Sequence, residues 1–338
     1  MQCGERPDAS PAQGELLLRV EACGVGLTVL NCIRGDLGHE ASDLPRVPGH
    51  EIVGVVIGAG PGVARGWLGQ RVVVFFYLFC GTCQECQKGR EALCTQLAGY
   101  MGVQRDGGYA ELVTVPVRNA VRVSDALDPV LATAIPDAIA TPVHVARRAG
   151  LAPGERVVVI AAAGGVGVHM VQVALLHGAL VAGLEAKQSK LEALEREFDI
   201  SAVDSTDFSE IRLPGSWHGR ADVVVDLLGT SESSGWAATV LDRGGRLVLL
   251  TTFRDVEFAL SQRAAVLEEI TVLGSRYASR DEVQTAAEYV ESQKVIPIVS
   301  EVAPWTEVEA LHEHLRAGTL WGRGALDWNH APPGPHGD

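Results

Sequence analysis

The stretch "VVVIAAAGGVGVHMVQVALLHGALVAGLE", residues 157–185, constrains this chain more than any other. A β-branched run ends in a glycine turn, a segment of helical period follows and stops at Gly178, and a second apolar run closes on Glu185. Strand, turn, helix and strand in that order predict a right-handed crossover and a parallel sheet. The run carries no charge before Glu185, but its glycines, histidines and glutamine break it midway, so it is not a membrane span. Its turn, Ala162-Ala163-Gly164-Gly165-Val166-Gly167, is an A-x-G-x-x-G form of the dinucleotide fingerprint. Gly164 admits a pyrophosphate to the backbone, and Gly167 lets the helix lie close to its strand. The amides at the helix N-terminus, around Gly165 and Val166, then face the phosphates. Glu185 stands 18 residues after Gly167, placed to accept from a ribose 2′-hydroxyl and to repel a 2′-phosphate. That favours NAD(H) over NADP(H). Lys187 and Lys190 lie close enough to work against the preference, and Lys190 is itself a candidate for contact with the nucleotide.

The rest of the chain sets this unit in context. From about residue 140, strands alternate with helices through "KQSKLEALEREF", "ADVVVDLLG" and "GGRLVLLTT". Before about residue 120, short runs such as "ELLLRVEAC", "HEIVGVVIGAG" and "QRVVVFFYLFC" are broken by Gly and Pro and predict a compact, barrel-like β unit. From about residue 276 the pattern is helix, strand, helix and a closing apolar segment, and "HAPPGPHGD" is a loose tail. A length of 338 residues suffices for two cores. The net charge of -14 argues against nucleic acid or an anionic membrane as partner and leaves a small molecule. The first twenty residues lack a basic start followed by an apolar core, so a cytoplasmic protein is expected.

Seven cysteines are present, and four crowd into "CGTCQECQKGREALC". Cys80, Cys83, Cys86 and Cys94 form a C-x2-C-x2-C-x7-C array, which satisfies a tetrahedral Zn²⁺ completely. A site closed in this way is structural, because it leaves no open position for a substrate.

The four-cysteine loop, "VPGHEIVGVV", "RDGGYAELVTVP", the mid-chain fingerprint and "GRGAL" follow one another in this order. Together they resemble the zinc-containing alcohol dehydrogenases of the medium-chain dehydrogenase/reductase superfamily, from about residue 12 to residue 327. The resemblance implies an α/β protein: a GroES-like β-barrel catalytic domain over 1–140, completed by 276–338, and a Rossmann doubly wound parallel sheet over 141–275. It also implies hydride transfer between a nicotinamide and an alcohol or carbonyl, in a homodimer or homotetramer. Carried over residue by residue, it leaves a gap. In Cys23-Gly24-Val25-Gly26-Leu27-Thr28 the position of the first catalytic zinc ligand is Gly26. The relay hydroxyl, Thr28, remains, and so do His50, the adjacent Glu51, and Asp137 in "PDAIAT".

Three readings follow. In the first, His50, Asp137 and either Glu51 or water hold a rebuilt catalytic zinc that polarises the substrate oxygen while Thr28 relays the proton. A cysteine restored at 26 would then complete the donor set. The second is a reductase without catalytic zinc, acting on a conjugated alkene, imine or activated carbonyl. The third is a non-catalytic nucleotide-binding protein of the same fold.

Overall fold

The computed structural model describes residues 3–36, 44–251 and 256–329; the C-terminal tail 330–338 lies outside them. The chain divides into two compact units. One comprises 1–140, 278–293 and 297–338, and the other comprises 141–277 and 294–296.

The discontinuous unit is built on a seven-stranded sheet. Its strands are β1 (Glu15–Val25), β2 (Glu51–Ala59), β3 (Arg71–Val74), β4 (Leu112–Pro116) and β5 (Ala120–Arg122). The last two strands of the chain, β12 (Val299–Ala303) and β13 (Arg323–Asp327), complete it. The strand order is β12-β13-β1-β2-β3-β5, with β4 also paired to β1. β1 is long enough to serve two partners along one edge: Glu15–Arg19 pair with β4, and Ala22–Val25 pair antiparallel with β13. Alternation explains the outer half of β1, where Leu16, Leu18 and Val20 are buried; from Val20 to Val25 every residue is buried. Val25, Leu326, Val308, Leu311 and Leu320 join β1 and β13 to the helix Val308–Ala317 in one apolar cluster.

The second unit carries six parallel strands: β6 (Arg156–Ile160), β7 (Leu180–Glu185), β8 (Ser201–Asp204), β9 (Ala221–Asp226), β10 (Leu241–Leu249) and β11 (Thr271–Gly274). Their order, β11-β10-β9-β6-β7-β8, reverses direction between β6 and β9. This is the doubly wound arrangement, and its ligand crevice lies at the carboxyl ends of the strands beside that reversal. Val158, Ile160, Ala182, Leu184, Val224 and Leu247 are buried in its core, as expected for strands covered on both faces. Among the described residues no helix is long and apolar enough to cross a membrane.

Candidate functional site

The four thiols of residues 80–94 come together as their spacing predicts. Cys83 precedes the short helix Gln84–Gln87, Cys86 lies within it, and Cys94 follows the turn Glu91–Leu93. Sulfur–sulfur distances are 3.9 Å for Cys80–Cys86, 3.4 Å for Cys83–Cys86 and 3.9 Å for Cys83–Cys94. Tetrahedral zinc at its usual Zn–S distance needs sulfurs about 3.8 Å apart. The amides of Thr82 and Cys83 donate to Cys80 Sγ at 3.4 and 3.2 Å, and the amide of Cys80 donates to Cys94 Sγ at 3.3 Å. Such donors favour thiolate. The amides of Cys86 and Thr95 lower the Cys83 thiol to about 5, and those of Thr82 and Cys83, with the Thr82 hydroxyl, lower Cys80 to about 7. Burial pushes Cys86 up to about 12. The residues fit the structural zinc.

The second cluster is assembled by strand register. β2 sets Glu51 opposite Gly24, and β13 sets Gly324 opposite Val25. One step further along the same register, Arg323 faces Gly26. A Cβ on Gly24 would fall on the Glu51 carboxylate, and a Cβ on Gly26 would lie 2.5 Å from Arg323 Cζ. The two glycines of "CGVG" therefore provide the volume for side chains arriving from the neighbouring strands. Arg323 Nε donates to Glu51 Oε2 at 3.0 Å, and Nη2 donates to Glu51 Oε1 and, at 3.0 Å, to Asp137 Oδ2. Asp137 Oδ2 also meets His50 Nε2 at 3.3 Å. Asp137 is carried on a π-helical turn, Ile135–Ile139, in which Ile139 N bonds Ala134 O five residues back. Pro136 in that turn has no N–H for the ordinary ladder. His50 packs edge-on to Phe76, with ring centroids 4.6 Å apart.

This polar group is almost wholly enclosed: Glu51 is 0%, His50 2% and Arg323 6% exposed. Burial pushes the Glu51 carboxyl up, the Arg323 charge pulls it back, and Asp137 pushes it up again. Burial also opposes the charge on Arg323, but Glu51 and Asp137 outweigh it and hold the guanidinium above the ordinary arginine range. Burial, reinforced by the Glu51 charge, raises the Cys23 thiol, so it offers no thiolate here.

His50, Glu51 and Asp137 thus meet as the sequence suggests, with donor atoms within 4.8 Å of one another. The Arg323 guanidinium shares this cluster with them. Arg323 already engages three of the carboxylate oxygens and stands where the missing ligand would approach. A side chain at 26 would share this corner with the guanidinium, which would have to shift to admit it. Arg323 is the residue that sequence reading passed over as part of "GRGAL". Its signal was the charge balance: a buried carboxylate at Glu51 beside a second at Asp137 calls for a cation. Thr28 sits in the first turn of the helix Leu27–Arg34, half-buried, and its hydroxyl makes no hydrogen bond among the described residues.

In the second unit the fingerprint is formed as expected. β6 leads through Ala161, which has a φ of 59°, to Gly164, Gly165 and Val166, and the helix starts at Gly167. A Cβ on Gly167 would strike the Ala161 carbonyl oxygen, and it would lie 2.9 Å from the carbonyl carbon of Ala162, so helix and strand are in close approach. A buried His169 fastens the turn through Nδ1 to Gly165 O at 2.7 Å. Glu185 ends β7, and its Oε1 accepts from the amides of Ala186 and Lys187 at 3.0 and 3.2 Å. Lys190 is buried, which lowers its pKa, while the Glu185 charge raises it. This turn and helix N-terminus fit a dinucleotide pyrophosphate.

Comparison with known proteins agrees with both units. Residues 12–125 match the alcohol dehydrogenase GroES-like domain family, and residues 165–292 match the zinc-binding dehydrogenase family. The chain is 31% identical to an alcohol dehydrogenase of Geobacillus stearothermophilus, over 94% of this chain and 92% of the relative. It is 29% identical to the acryloyl-coenzyme A reductase of Metallosphaera sedula, over 92% of each. Among solved structures, the acetophenone reductase of Geotrichum candidum in complex with NAD superposes with a TM-score of 0.85 at 25% identity, over 96% of this chain and 93% of that one.

Proposed function

The chain belongs to the zinc-containing alcohol dehydrogenase family of the medium-chain dehydrogenase/reductase superfamily, an NAD(P)-dependent oxidoreductase by that membership, and from this premise we propose that it is an NADH-dependent reductase of carbonyl-activated substrates. Relatives named as an alcohol dehydrogenase and as an acryloyl-coenzyme A reductase bracket the chemistry. The observation that carries this reading is the guanidinium lying among the carboxylates, a donor suited to substrates whose oxyanion is already stabilised. A guanidinium donates hydrogen bonds to growing negative charge, but it cannot ionise a bound alcohol as a metal does.

When bound, the nicotinamide supplies the hydride to the electrophilic carbon. This chain's own residues manage charge and proton. The cation of Arg323 stabilises the oxygen as it becomes anionic, and Thr28 Oγ1 passes a proton to the product and regains one from water. Asp137 holds His50 through Nε2 and so fixes the ring against Phe76. Preference for NADH rests on the carboxylate of Glu185 at the end of β7, with Lys190 buried behind it rather than presented to a 2′-phosphate. The assembly proposed is a homodimer or homotetramer. Supporting it, Val266, Leu267 and Val272 are exposed on and beside the edge strand β11.

The test is transfer of deuterium from 4-deuterated NADH to aldehydes, ketones and α,β-unsaturated carbonyls. Label in the reduced product is the expected result. Cofactor binding without label in any product would favour the non-catalytic reading.

A further inference from the structure

The resident cation of the site deepens that reading and rests on it. We propose that Arg323 takes the place of the catalytic metal, so that this enzyme holds one zinc per chain and binds its substrate's oxygen through the guanidinium Nη1.

The geometry carries the first half. Gly26 leaves open the corner that a ligand side chain would fill, and the space is taken by Arg323: Cζ, Nη1 and Nη2 lie 2.5, 2.6 and 2.7 Å from the position of a Cβ there. The acidic donors are engaged as well, Glu51 through both oxygens and Asp137 through Oδ2. A divalent ion seated on His50, Glu51 and Asp137 would lie against a buried positive charge and would have to strip it of its partners. Cys23 does not fill that corner, since its buried sulfur lies against Gly49 and Gly108 and not at Gly26.

The second half follows from what the guanidinium does not use. Nε and Nη2 are committed to carboxylates, while Nη1 makes no hydrogen bond among the described residues. It lies against Gly26, two residues before the Thr28 hydroxyl. An oxygen that accepts from Nη1 becomes the alkoxide, or the enolate of a conjugated substrate, as hydride arrives at carbon. The C=O or C=C π bond gives way to a C–H bond, and the proton that completes the product comes from Thr28 and then from water. Because a hydrogen-bond donor stabilises an oxyanion less than a metal does, the substrate class is one whose oxyanion is already stabilised: α,β-unsaturated carbonyls and activated ketones rather than simple alkanols.

Zinc content separates this from the alternatives without depending on turnover. Protein purified and then dialysed with excess Zn²⁺ or Co²⁺ is expected to hold one tightly bound ion per chain, and Co²⁺ is expected to show only a thiolate spectrum. Gly26→Cys alone is expected to stay at one ion, and Gly26→Cys with Arg323→Ala to rise to two. Arg323→Lys is expected to lose at least a hundredfold in kcat with NADH affinity unchanged. Two ions in the unmodified protein, or two in Gly26→Cys alone, would overturn the inference even with hydride transfer intact. If no substrate accepts label yet the ion counts hold, the proposed reaction fails while the assignment of Arg323 stands.

Discussion

Glu51 and Arg323 lie 272 positions apart and are joined by two side-chain hydrogen bonds in the interior of the discontinuous unit. Neither charge has water to fall back on, so breaking the pair costs more than the pair contributes. Removing one partner of a buried ion pair costs about 3–5 kcal/mol. Glu51→Gln keeps the shape and one acceptor, and is expected near the lower end of that range. Denaturant unfolding with intrinsic fluorescence checks it; an unchanged midpoint would mean that the interior tolerates the unpaired guanidinium.

Zinc removal acts on a different part of the same unit. Cys86→Ser leaves three thiolates and opens a loop whose carbonyl at Cys80 accepts from Arg118. The expected outcome is loss of the tightly held zinc, read by elemental analysis, and a melting transition lowered by several degrees. Retention of the metal with an unaltered melt would refute a structural role for the loop.

Gly167→Ala tests the close approach of helix and strand. The added methyl meets backbone carbonyl atoms of Ala161 and Ala162, which cannot rotate away as a flexible side chain could. Overpacking of this kind costs about 1–3 kcal/mol, and it should move the helix N-terminus enough to weaken NADH binding at least tenfold. Titration by nicotinamide fluorescence gives the second number.

Cofactor choice depends on one carboxylate. With Glu185→Ser the repulsion toward a 2′-phosphate disappears, so NADPH affinity should rise toward that of NADH. Side-by-side titrations decide it, and an unchanged ratio would assign the preference to some other residue.

Acid sensitivity of the second unit is expected from Arg156. Its guanidinium donates to Asp222 at 2.7 and 2.9 Å and to Asp242 at 2.7 Å, tying β6 to β9 and β10. The hydrogen bond from Arg156 holds the Asp222 carboxyl below its usual range. A carboxyl whose pKa is lower folded than unfolded stabilises the fold above about pH 4, and that contribution is lost as pH falls through the folded value. Asp222→Asn should therefore cost about 1 kcal/mol near neutrality and nothing at low pH, where mutant and parent should melt together.

Much of this was legible from residues alone, because the signals were local. The C-x2-C-x2-C-x7-C array closes through a short helix and one turn, and A-x-G-x-x-G folds on itself between β6 and its helix. His50, Glu51 and Asp137 also converge as expected. Arg323 was not legible, since nothing in "GRGAL" says which strand it will face. Its position comes from the pairing of β13 with β1, a long-range register that periodicity does not encode. The role of Gly24 was hidden likewise: a glycine in a strand marks close approach, but not by what.

The pairing of β1 with β13 also sets an order of events during synthesis. Val25 and its partner Gly324 are 299 positions apart, with the whole second unit between them. At ribosomal rates of about 5–20 residues per second, β1 waits roughly 15–60 s for the strand that covers its inner edge. Residues 141–277 emerge as a nearly complete unit in that interval and can fold first. Until β13 arrives, the nascent chain exposes an apolar strand edge and a lone buried-to-be carboxylate at Glu51, both open to wrong partners. Yield in the cell is therefore tied to the last thirty or so residues of the fold, and ribosome-bound chains stopped before Arg323 should be the aggregation-prone species.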